Sequence, residues 1–135
     1  MTPAEIDLAR RIIACGLPVP RHRSFPDGNA IVVKLGNEVV ATCHNAGSTD
    51  YDPATRILWQ VVATDTGPEL LPVLDDYALL GWLYFQLKEH GHPIKIGYTV
   101  SPFAHTAQPF AGPTSIGNTL VEALVAALEA ARKEA

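Results

Sequence analysis

Residues 77–87 read YALLGWLYFQL, and this run constrains the fold more than any other. Asp75 or Asp76 is placed to cap a helix that reaches about His90, with Gly91 closing it and Pro93 beyond. A surface helix carries one apolar stripe and one polar face. This one is apolar almost all round, so burying a single face does not account for it. Either the helix is central in a core, or its second face packs against another copy of the chain. A chain of 135 residues has little interior to surround a helix, which favours the second arrangement.

The length suits a single domain spanning 1–135. Apolar residues make up 47%, enough for a packed core and against global disorder. Ten Lys+Arg face fourteen Asp+Glu, a formal net charge of -4. That balance argues against binding a nucleic-acid polymer, which needs a basic face. The opening MTPAEIDLARR has neither the basic nor the apolar region of a secretory signal. The longest apolar run, 77–85, is far short of the ~18–20 residues that span a bilayer. No membrane partner is expected, and the expected location is the cytoplasm. Cys15 and Cys43 belong to no CxxC pair and read as buried thiols.

Punctuation divides the rest of the chain. Thr2, Pro3 and Glu5 form a capping box with proline at the first helical position, predicting a helix over 3–15 that ends at Gly16. Residues 17–29 hold three prolines and read as a loop. Residues 30–35 (AIVVKL) and 38–44 (EVVATCH) flank Gly36-Asn37, which predicts a two-residue hairpin with Leu35 opposite Glu38 and Val33 opposite Val40. Residues 45–55 read as a surface loop. Residues 56–64 (RILWQVVAT) predict a strand, against a short helix begun by Asp52-Pro53. Residues 66–74 read as a second loop. The alternation in 94–100 (IKIGYTV) predicts a strand with Tyr98 on its apolar face. Residues 101–115 form a long loop, with a short edge strand near 103–107 as an option. A second Thr-x-x-Glu box, Thr119 to Glu122, starts a closing helix over 119–133. The expected fold class is α+β: an antiparallel sheet of about four strands with three helices packed on it.

Few residues suggest catalysis. The chain has no G-x-S-x-G elbow, no GxGxxG and no Walker lysine, so no catalytic residue and no cofactor is expected. Cys43 and His44 are neighbours on a strand and point to opposite faces, which defeats a nucleophile–base pair. His90-x-His92 lacks third and fourth ligands, so no metal site is expected. A hydrolase using His44 or His105 is a third reading, and it predicts turnover that replacing the histidine by alanine abolishes. The basic triplet Arg21-His22-Arg23 suits phosphate recognition, because a guanidinium donates paired hydrogen bonds to phosphate oxygens. Aromatic residues, Tyr98 among them, supply stacking surfaces for a base.

The closing half resembles small phage-encoded proteins of the α/β/α-sandwich kind over about residues 70–133. The likeness lies in YALLGWLYFQL, then IKIGYTV, then a proline-rich loop, then TLVEALVAALEAARK. Some such proteins are oligomeric sponges that sequester nucleotide signals of bacterial immunity without cleaving them. The resemblance implies a homo-oligomer in the host cytoplasm that binds a small anionic, nucleotide-like ligand. On that reading Arg21 and Arg23 pair with phosphates, while His44, Asn45, Tyr98 and His105 line the pocket. The alternative is an interaction module that blocks a host or viral partner by surface contact.

Overall fold

The computed structural model describes residues 1–18, 20, 31–35, 38–42, 49–52, 54–89, 94–100, 103–109 and 115–134. The element order is α1 (Pro3–Ala14), β1 (Ile31–Leu35), β2 (Glu38–Thr42), β3 (Thr49–Tyr51), β4 (Leu58–Thr64), β5 (Gly67–Pro72), α2 (Tyr77–Glu89), β6 (Ile94–Val100), β7 (Phe103–Pro109), β8 (Ser115–Gly117) and α3 (Leu120–Glu134). The chain divides into two compact units, residues 1–79 and 80–135.

The α+β class holds, with three helices among the described residues. The single antiparallel sheet of about four strands does not. The first unit carries five strands in the order β2-β1-β5-β4-β3, and the second carries three in the order β6-β7-β8. In the first sheet β1 and β5 run parallel, bridged at Lys34 and Glu69, and the other pairs are antiparallel.

Helix α1 forms where its punctuation puts it. Thr2 Oγ1 accepts the Glu5 N–H at 3.2 Å, and Glu5 Oε1 accepts the Thr2 N–H at 3.0 Å. These bonds satisfy two backbone donors that a helix start otherwise leaves to water. Leu8, Ala9 and Ile12 are buried, and the helix packs against β5. The first hairpin has the expected register, Leu35 opposite Glu38 and Val33 opposite Val40. Gly36 and Asn37 themselves lie outside the described residues.

In the first unit two strands replace segments expected to be loops. β5 occupies most of 66–74, where Gly67, Pro68 and Pro72 read as loop punctuation. Gly67 has φ +103°, a conformation open to glycine at low cost. It follows the two residues that link β4 to β5, where Thr64 pairs with Gly67. Pro68 and Pro72 have the same parity, so their missing N–H groups lie on one side of the strand. A neighbouring ladder takes donors from alternate residues only, so β5 keeps six paired positions with β4. β3 was hidden in the polar stretch 45–55. Its return to β4 is held by Asp52, which is buried and accepts the Ala54 N–H at 3.1 Å and the Thr55 hydroxyl at 3.2 Å. Arg56 sits in this return at φ 63°. The strand in 56–64 therefore begins at Leu58, and the helix alternative fails because Asp52 caps a turn instead.

In the second unit β6 pairs with β7 along its whole length, from Ile94 opposite Pro109 to Val100 opposite Phe103. The segment 101–115, read as a loop with a short edge strand near 103–107 as an option, contains the full strand β7, which is central rather than at an edge, and the start of β8. α3 packs on β7 and β8 and buries Val121, Ala123, Leu124, Val125, Ala127 and Leu128. Its start is a modified capping box. Thr119 Oγ1 accepts the Glu122 N–H at 3.2 Å, while the Glu122 carboxylate reaches back one residue further, to the Asn118 N–H at 3.2 Å.

Candidate functional site

Of the six residues expected to line a pocket, Tyr98 and His105 fall on described elements. Arg21, Arg23, His44 and Asn45 lie outside the described residues, as do His22, Cys43, His90 and His92. Tyr98 is on β6 and His105 on β7, and they are direct cross-strand partners. Directly opposite residues of an antiparallel pair share a face and hold their Cβ atoms about 4.5–5.5 Å apart. The sequence offered these two as separate candidates, and the register makes them neighbours. His105 is part-buried.

On its other side His105 pairs with Gly117 of β8. Gly117 is where α3 meets the sheet. A Cβ at Gly117 would lie 2.6 Å from the Ala123 nitrogen and 2.8 Å from the Glu122 Cβ. Only glycine admits this approach, and it brings the first turn of α3 beside the row Tyr98–His105–Gly117. The amino end of a helix carries partial positive charge and N–H donors. The register therefore sets positions 98, 105 and 117 in one row across β6, β7 and β8, with the first turn of α3 against Gly117.

The opposite face of the same sheet bears Ile116, 62% exposed, paired with Thr106. Thr106 in turn pairs with Gly97, and its hydroxyl is 3.4 Å from where a Gly97 Cβ would stand.

The first unit holds an ion pair that sequence reading missed. Arg10 of α1 donates from Nε to Glu69 Oε1 at 3.0 Å and from Nη2 to Glu69 Oε2 at 2.7 Å. Glu69 is buried, and it also accepts from the Thr64 hydroxyl at 3.3 Å. Asp65 stands 3.8 Å from the same guanidinium. The hydrogen bonds to Glu69 raise the Arg10 pKa further above its ordinary range. The forked geometry ties α1 to β5, and with two carboxylates already on one guanidinium it reads as a structural clasp. Nothing in the spacing of residues 10 and 69 signals it, because the contact exists only once β5 is a strand.

Helix α2 settles how the run YALLGWLYFQL is used. Leu79, Leu83 and Leu87 are buried at one-turn spacing. Tyr77 is 88% exposed, Phe85 54% and Tyr84 41%, and Gly81 among them is exposed as well. At roughly 100° per residue these aromatics fall within about 100° of arc centred near Gly81. Asp76 starts the helix, accepting the Ala78 N–H at 3.3 Å and, from β4, the Leu58 N–H at 2.8 Å.

Among the described residues no group of three or more His, Cys, Asp or Glu side chains is arranged to hold a metal ion. No helix among them is long and apolar enough to cross a membrane. No family model, curated protein or solved structure matches the chain.

Proposed function

We propose that this chain is a non-enzymatic binding protein that holds a small anionic, nucleotide-like ligand in an oligomer. The observation that carries the reading is the pairing of Tyr98 with His105 beside the amino end of α3. An imidazole offers a hydrogen-bond donor, and a tyrosine ring adds a stacking surface for a base. The sequence adds Arg21 and Arg23 as candidate phosphate partners and His44 and Asn45 as candidate polar contacts, all outside the described residues. The likeness of residues 70–133 to small phage-encoded proteins makes sequestration of a nucleotide immune signal in the host cytoplasm the biological form of this binding.

The test is a titration with nucleoside monophosphates, diphosphates and cyclic dinucleotides, following the His105 imidazole resonances. The reading expects at least one class to shift them saturably, and expects Arg21→Ala with Arg23→Ala to weaken that binding at least tenfold. If no phosphate compound moves His105, the reading is wrong.

The exposed aromatic face of α2 favours a second reading, an interaction module that acts by surface contact. That reading predicts a chain that retains no phosphate ligand.

A further inference from the structure

We infer that the aromatic face of α2 is covered by the same face of a second copy of this chain, with the two helices antiparallel about a two-fold axis near Gly81. The inference is independent of the ligand reading and rests on three properties of one helix.

The first is shape. Tyr77, Tyr84 and Phe85 stand around Gly81, and a Cβ at Gly81 would meet nothing within 4 Å. The chain itself therefore does not require glycine there. A glycine flanked by aromatics gives a notch between knobs. Turned about a two-fold axis, that surface fits itself: Tyr77 lies against the partner's Phe85, Tyr84 against the partner's Ala78, and the glycines meet at the crossing. Two-fold interfaces are self-complementary in this way.

The second is charge. Asp75 just precedes the helix and Lys88 lies in its last turn, and both are exposed. Their numbers lie nearly symmetrically about Gly81, so an antiparallel pair brings the Lys88 end of one helix to the Asp75 end of the other. Lys88 falls on the face itself, while Glu89, also exposed, lies about 80° round from Gly81. A parallel pair would instead set Lys88 beside the partner's Lys88.

The third is the helix dipole. Antiparallel packing puts the negative carboxyl end of one helix beside the positive amino end of the other. Shape, charge and dipole select the same partner and the same direction.

Sedimentation equilibrium of the intact chain across about 1–200 µM tests this. The wild type is expected to be dimeric through most of that range. Phe85→Asp is expected to raise the dissociation constant at least a hundredfold, with an unchanged far-UV circular dichroism spectrum because Phe85 is exposed. Asp75→Lys or Lys88→Asp alone should weaken the dimer about tenfold, and the two together should restore it. Gly81→Cys supplies a measurement that does not depend on loosening the fold: mild oxidation should join two chains through residue 81. A monomeric wild type overturns the inference, even if that monomer captures another protein. So does a dimer indifferent to Phe85→Asp, a charge reversal without rescue, or a Gly81→Cys chain that does not cross-link.

Discussion

The residues that decide this molecule locally are mostly its turn and cap residues. Gly117 is the clearest case, because the close approach of α3 leaves no room for a side chain. Gly117→Ala would place a methyl group 2.6 Å from a backbone nitrogen, and backbone cannot rotate away as a side chain can. We predict a loss of about 1–3 kcal/mol, read as a lower urea midpoint. An unchanged midpoint would mean that α3 does not seat on β8 as described. Asp52 works by the opposite means. It is a buried carboxylate whose oxygens are met by the Ala54 amide and the Thr55 hydroxyl, so a polar side chain becomes the support of a chain reversal. Arg56 follows it at positive φ, a strained position for a residue with a Cβ, tolerated because Asp52 fixes both sides of the turn.

At the scale of elements, the helices follow their signals and the strands do so only in part. The capping box of α1 makes a pH prediction. The hydrogen bonds from Thr2 hold the Glu5 carboxyl below its ordinary value of 4.5. A depressed carboxyl contributes stability above its unfolded value and loses it as the pH falls through the folded one. The first turn of α1 should therefore fray below pH 4.5 and stay closed above it. A carbon-13 titration of Glu5 should show a midpoint under 4.5, moved up towards the ordinary value by Thr2→Ala. A midpoint at or above the ordinary value would remove the box from solution. All three helices were legible because caps, glycines and prolines mark their ends. The first hairpin was legible to the register because Gly36-Asn37 admits one loop length. β3 and β5 were not. Their residues look like turn residues, and what makes them strands is a neighbour: β4 for both, with the Arg10–Glu69 clasp holding β5 from the side of α1. Pairing of that kind is non-local, and local composition does not report it.

At the scale of the whole molecule, the candidate site was half visible. Tyr98 and His105 could be named from residue type, but their adjacency came from the β6–β7 register, and the part of Gly117 came from the packing of α3. The run YALLGWLYFQL announced a helix with two faces to cover. The fold covers the face of Leu79, Leu83 and Leu87 and leaves the aromatic face open. The proposed dimeric binding protein would use both faces, the leucine face to build the fold and the aromatic face to meet a second copy. The most direct measurement is native mass spectrometry of the chain purified from cells, alongside His105→Ala. The account predicts a dimer carrying a phosphate-containing molecule, which the variant loses while remaining a dimer. An empty wild-type chain, or a ligand that His105→Ala retains in full, would contradict it.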